Sequence, residues 1–119
     1  MTAVRPNFGG LASEAEALEA VVARIVGAID PGAILLFGSR ARGDARPDSD
    51  FDLLVVGKPG ADLGSDEYER VDRPLTGLGI GCDVVPCTAE DFEEGLSINT
   101  SFVTWIVGEG RKVYEAMSP

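Results

Sequence analysis

LFGSRARGDARPDSDFDLLVV, residues 36–56, sets a Gly-Ser pair and three arginines ahead of Asp50 and Asp52, one residue apart, between two apolar runs. The runs over 34–37 and 51–56 are too short for helices and are bounded by turn residues. They are continuous rather than alternating, so both are predicted to be strands covered on both faces. Between them, Gly38-Ser39 turns the chain into a short helical or irregular piece through Arg42. A strand entering a core has no structural use for paired charges, so Asp50 and Asp52 either sit in a solvated turn or hold something positive.

The flanks supply the cover. Upstream, Ser13 with Glu16 three residues on forms a candidate capping box. Leu11, Ala15, Leu18, Val22, Ile25 and Ile29 then recur at helical spacing, and Asp30-Pro31-Gly32 stops the helix. Downstream, GKPGADLG reads as a loop and residues 66–78 as a helix containing Pro74. Residues 80–85 read as a third strand. Thr88 with Asp91 caps a short helix, residues 98–107 form a last helix, and Val113-Tyr114 adds an edge strand. The fold class is α/β (α+β) in one domain, without repeats or internal linkers; residues 1–10 are expected to be a flexible segment and 11–119 the domain.

Composition narrows the function. The chain has 119 residues, 45% of them hydrophobic, enough for one core without disulfide or metal staples. Its net charge is −10, with 10 basic and 20 acidic residues, which disfavours broad contact with nucleic acid or an anionic membrane. The stretch MTAVRPNFGG lacks a signal-peptide core, and no run approaches the roughly 20 apolar residues of a membrane span, so a cytoplasmic location is expected. Cys82 and Cys87 would face opposite sides of a strand and are expected to be inert thiols. With no histidine in the chain, zinc sites and histidine-activated nucleophiles are disfavoured.

Alternation puts Asp50 and Asp52 on one strand face. Asp83 is a lone acid in the apolar third strand, and if that strand neighbours the second, three carboxylates meet. Such a group needs a cation or raised pKa values, and oxygen ligands alone favour magnesium or manganese. The Gly38-Ser39 turn offers backbone N–H groups and a hydroxyl to an anion, and Gly38 permits close approach of a phosphate. Arg40, Arg42 and Arg46 against Asp44 give this connection a local positive balance inside an acidic chain. A phosphate seat beside a metal seat suits displacement at a nucleoside triphosphate. Each part alone has a plain alternative: a strand-ending turn at Gly38-Ser39, an Asx-type turn at Asp48-Ser49-Asp50, solvated arginines, and a solvent-facing Asp83.

The segment FGSRARGDARPDSDFDLLVV, with ten residues between Gly-Ser and Asp-x-Asp, resembles the signature of the DNA polymerase β-like nucleotidyltransferases. The short length and the ending WIVGEGRKVYEA resemble the minimal members, commonly the antitoxin halves of HEPN/MNT toxin–antitoxin pairs. The resemblance implies a nucleotidyltransferase fold, a mixed β-sheet flanked by helices in a single minimal domain. It assigns Gly38 and Ser39 to nucleotide binding and Asp50, Asp52 and Asp83 to catalysis as ligands of two Mg2+ ions (or Mn2+), with ATP as substrate; the local positive charge adds Arg40 and Arg42 as expected nucleotide contacts. AMP would pass to a hydroxyl, by resemblance a tyrosine of a cognate HEPN ribonuclease toxin, in a hetero-oligomer with that toxin. Two other functions stay open: transfer to a small hydroxylated molecule such as an aminoglycoside, and a non-catalytic antitoxin that acts by binding alone. The apolar helix around Phe102, Trp105, Ile106 and Val107 is either core or part of a partner surface.

Overall fold

In the computed structural model, which describes residues 5–63 and 67–116, the two apolar runs become the central strands of a sheet. Strand β1 (Ala33–Phe37) and strand β2 (Phe51–Val56) pair antiparallel, with Phe37 opposite Asp52 and Leu35 opposite Leu54. The connection between them contains a single helical turn, α2 (Ser39–Arg42). Strand β3 (Cys82–Cys87) runs parallel to β2 and sets Asp83 beside Asp52. Strand β4 (Arg111–Glu115) pairs antiparallel with β1 at the far edge, giving the mixed order β3-β2-β1-β4.

Both faces of the central strands are covered, as their unbroken hydrophobicity requires. On one face Ile34, Leu36, Phe51, Leu53 and Val55 meet helix α1 (Glu14–Ile29) and the buried Val71 and Leu75. On the other, Leu35, Phe37, Leu54 and Val56 meet Phe92 of α4 (Ala89–Leu96) and Ile106 of α5 (Phe102–Glu109). Asp52 belongs by alternation to this second face, at the end of the row that Leu54 and Val56 fill.

Helix α1 starts and stops where its local chemistry dictates. Ser13 accepts the Glu16 N–H at 3.2 Å, the Glu16 carboxylate accepts the Ala12 N–H at 3.0 Å, and Asp30 closes the helix in the left-handed region. The buried line is Ala17, Val21 and Ile25, whereas Leu18, Val22 and Ile29 are only partly buried and Leu11 lies outside the helix, 41% exposed. The helix carries two adjacent apolar stripes, and the one formed by Ala17, Val21 and Ile25 is the more deeply buried.

Other boundaries move for local reasons. The helix expected over 66–78 is α3 (Tyr68–Asp72) followed by a 3₁₀ turn over Arg73–Leu75, since Pro74 lacks the N–H that would continue it; Asp66 lies outside the described residues. The third strand begins at Cys82 rather than at residue 80. The last helix begins after Ser101, whose hydroxyl accepts the Thr104 N–H at 3.0 Å. Residues 5–10, expected to be flexible, include Asn7 and Phe8, which are tied to the body of the fold: Phe8 packs against the core, and Asn7 hydrogen-bonds to residues 47, 49 and 81. Among the described residues, no helix is long and apolar enough to cross a membrane.

Candidate active site

The strand pairing places Phe37, Asp52 and Asp83 in one row across β1, β2 and β3, on the sheet face that α5 covers. Immediately after Phe37, Gly38 turns with φ 75° and ψ −158°, a conformation that side chains rarely adopt. A Cβ on Gly38 would lie 2.0 Å from Asp52 Oδ2 and 2.9 Å from its Cγ. The glycine is thus required twice, for its backbone angles and for contact with the carboxylate. Asp50 lies one residue before β2, exposed, with Oδ1 only 2.5 Å from where a Cβ on Gly81 would stand. Asp83 is also exposed at its strand position.

Asp52 is half-buried, and its carboxyl is pushed above the ordinary carboxylate range, first by burial and then by the charges of Asp83 and Asp50. Arg42 opposes this shift, and Glu109 adds to it. The acids therefore share one electrostatic field, but they do not form a closed cage: among the described residues, no three His, Cys, Asp or Glu side chains gather tightly enough to hold a metal ion by themselves. The close three-carboxylate cluster expected from the sequence is in this respect more open, because Asp50 precedes the strand and turns toward Gly81. The donor set remains all-oxygen and strongly anionic around one raised carboxyl, which fits a hard divalent cation such as magnesium or manganese whose remaining ligands come from water and phosphate.

The arginines divide. Arg40, expected at the nucleotide, is buried, with its side chain 3% exposed. It donates to the carbonyls of Arg46, Pro47 and Ser49 and pairs with Glu14 at 3.1 Å. Its guanidinium also lies over the Phe51 ring, 4.4 Å from the centroid, and over Phe8 at 5.4 Å. Arg40 thus organises the connection leading to Asp50, every guanidinium nitrogen being bonded within the protein, where the sequence reading expected it at the nucleotide. Arg42 is half-exposed and stays beside the site, paired with Asp44 at 3.2 Å and Glu109 at 3.3 Å. Arg46 is exposed, and its N–H donates to Ser49 Oγ at 2.9 Å to close the loop before Asp50. Ser39 opens α2, partly exposed, next to Gly38. The cysteines are free thiols, raised mainly by burial to about 12 at Cys82 and about 11 at Cys87.

Two contributors have no sequence signal. Asn7 donates to the carbonyls of Ser49 (3.0 Å) and Gly81 (2.8 Å), and its Oδ1 accepts the Gly81 N–H at 2.6 Å. It thereby clamps together the approaches to β2 and β3, from which Asp50 and Asp83 project. Glu109, the last residue of α5, accepts the Gly38 N–H at 2.8 Å through Oε1. The Asn7–Gly81 and Glu109–Gly38 bonds each span more than 70 residues of chain, where no local spacing rule reaches.

Residues 16–107 match the family model described as the nucleotidyltransferase domain. A protein of Methanocaldococcus jannaschii, provisionally named a protein adenylyltransferase, is 36% identical over 81 residues, 68% of this chain and 76% of that protein. A crystal structure of a provisionally named nucleotidyltransferase from Sulfolobus solfataricus superposes with a TM-score of 0.54 at 20% identity, covering 82% of this chain and 77% of the other. A crystal structure described as a toxin–antitoxin with AMP-PNP superposes with a TM-score of 0.52 at 19% identity, covering 83% and 74%. At these identities the two structures share the fold with this chain.

Proposed function

As a member of the nucleotidyltransferase domain family, this chain is, we propose, an adenylyltransferase that moves AMP from ATP to a hydroxyl group of a partner protein. The observation that carries this reading is the contact between Gly38 and Asp52: a glycine that tolerates no side chain joins an anion-accepting turn to the acid row. Gly38, Ser39 and Arg42 border the space for the β- and γ-phosphates, and Asp50, Asp52 and Asp83 border the α-phosphate. The three acids are the residues that would hold divalent cations, which when bound neutralise charge developing on the phosphate and acidify the attacking hydroxyl. The residues of the chain supply the rest. Asp52 is fixed by its fit on Gly38, Asp50 by the loop that Arg40 and Asn7 hold, and Asp83 by its register with Asp52. Fixed groups need no reorganisation as charge moves from the acceptor oxygen to pyrophosphate.

A protein acceptor is favoured by the relative named a protein adenylyltransferase, and a toxin as that protein by the structural likeness to a toxin–antitoxin bound to an ATP analogue. A tyrosine of a HEPN-type toxin is the proposed acceptor, and its modification would silence the toxin. In the test, the protein, α-labelled ATP, Mg2+ and a HEPN-type toxin encoded beside it are incubated together, with Asp52→Asn in parallel. Label on the toxin with wild type alone supports the proposal. Neutralisation by both proteins without label would leave a binding antitoxin, and label on an added aminoglycoside instead would point to the small-molecule reaction.

A further inference from the structure

A carboxylate of the chain already sits at the turn assigned to phosphate. Glu109 Oε1 accepts the Gly38 N–H at 2.8 Å, and both its oxygens face Arg42 Nη1, at 3.4 and 3.3 Å. Its side chain is only 16% exposed. The placement is built into the backbone. The next residue, Gly110, runs so close to β1 that a Cβ there would stand 2.3 Å from the Leu36 carbonyl oxygen, and its N–H bonds the Ile106 carbonyl at 2.7 Å. The end of α5 is therefore pressed against β1 just before Gly38, with Glu109 directed at the turn.

A glutamate here adds negative charge where Asp50, Asp52 and Asp83 have already concentrated it. Its two partners, a backbone N–H and a guanidinium, are the donors that recognise a phosphate oxygen. We propose that Glu109 is an internal stand-in for phosphate: it holds the Gly38 N–H and Arg42 until a nucleoside triphosphate displaces it, and so sets the affinity and the requirement for a polyphosphate tail. A triphosphate brings several anionic oxygens and can outcompete one carboxylate, whereas a nucleoside monophosphate has no second or third phosphate to place there. This rests on the proposed nucleotide-transfer reading for the identity of the displacing group.

The variant Glu109→Gln separates charge from geometry, because the amide oxygen still accepts the Gly38 N–H while the negative charge is gone. Binding is read from Trp105, the single tryptophan, which stands one turn before Glu109 on α5. The probes are inorganic tripolyphosphate, a non-transferable ATP analogue and AMP, each with Mg2+. Tripolyphosphate and the analogue are expected to bind Glu109→Gln about tenfold more tightly than wild type, from removal of like-charge repulsion at close range, with AMP nearly unchanged. Thermal melting of Glu109→Gln beside Glu109→Ala checks the fold. A purely structural cap would lower the melting temperature of the alanine variant and leave phosphate affinity unmoved in the glutamine variant, which would overturn the proposal. Equal or weaker polyphosphate binding by Glu109→Gln, or an equal gain for AMP, would also overturn it. If tripolyphosphate binding tightens but wild type transfers no AMP, the internal anion stands and the adenylyltransferase reading falls; transfer without a change in affinity gives the reverse.

Discussion

Replacing Gly38 with alanine tests whether the Gly38-Ser39 turn and the acid row are one mechanical unit. Two penalties combine. The φ 75°, ψ −158° conformation is nearly exclusive to glycine, and holding alanine there costs about 1–3 kcal/mol. The new methyl would also stand 2.0 Å from Asp52 Oδ2, and because Cγ and Cβ of Asp52 lie at 2.9 and 3.2 Å, rotating the carboxylate does not clear it. Asp52 or the end of β1 must shift. The combined loss is about 2–4 kcal/mol, a fall in Tm of roughly 10 °C for a domain of this size. Displacing Asp52 by about 1 Å should lower AMP transfer roughly 100-fold. Gly43→Ala is the matched control: its φ is 86°, but a Cβ there meets nothing within 4 Å. It should cost about 1 kcal/mol from backbone strain alone and keep activity. Differential scanning fluorimetry and the label-transfer assay on both variants decide the matter. Wild-type transfer by Gly38→Ala, or an equal loss of transfer in Gly43→Ala, would refute the claim that contact with Asp52 is what glycine is there for.

Further outcomes follow from the same geometry. Arg40→Lys keeps the charge but loses the planar fork that reaches three carbonyls, so urea denaturation should show a loss of about 2–3 kcal/mol, with nucleotide affinity in the surviving folded fraction close to wild type. For Asp52, the folded pKa lies above the unfolded one, so the native state binds the extra proton, and stability falls as pH rises through the folded value. Asp52→Asn should therefore melt higher than wild type in EDTA at pH 7.5, with the gain shrinking toward pH 4 while transfer is abolished; a gain that grows on acidification would contradict the assignment. Asn7→Ala, by freeing the carbonyls of Ser49 and Gly81, should lower kcat more than it raises KM, with a stability loss of about 1–2 kcal/mol by thermal melt. With thiols raised to about 12 and about 11, Cys82 and Cys87 should react slowly with iodoacetamide at pH 8, Cys82 the slower.

Much of this site is written locally. The strands at 34–37 and 51–56 follow from short apolar runs with turn residues at their ends, and the sharp bend at Gly38 from the one residue free to adopt it. The caps at Ser13 and Thr88 are hydrogen bonds across three residues, as their spacing predicts. Period-two alternation is a property of extended backbone, so it fixes the face of Asp52 within β2, whereas Asp50, one residue before the strand, is set by the loop that leads into it. The third strand's place beside the second was a condition the sequence could state but not meet; pairing in register is what sets Asp83 against Asp52.

What tertiary structure decided is the fate of groups whose partners are remote in sequence. Arg40 and Arg42 carry the same expectation in the sequence, yet Arg40 is buried under Phe8 and beside Glu14 while Arg42 faces the site. Burial of a guanidinium depends on carbonyls, rings and a carboxylate arriving from several segments at once. Asn7 and Glu109 have meaning only because β3 and the α5–β4 junction return to the same corner. Local spacing thus determined which backbone could make the sharp glycine turn at Gly38 and the acid pair at Asp50 and Asp52. Only the packed fold determined which charges face that turn, because desolvation and Coulomb interaction depend on distance through space and not along the chain.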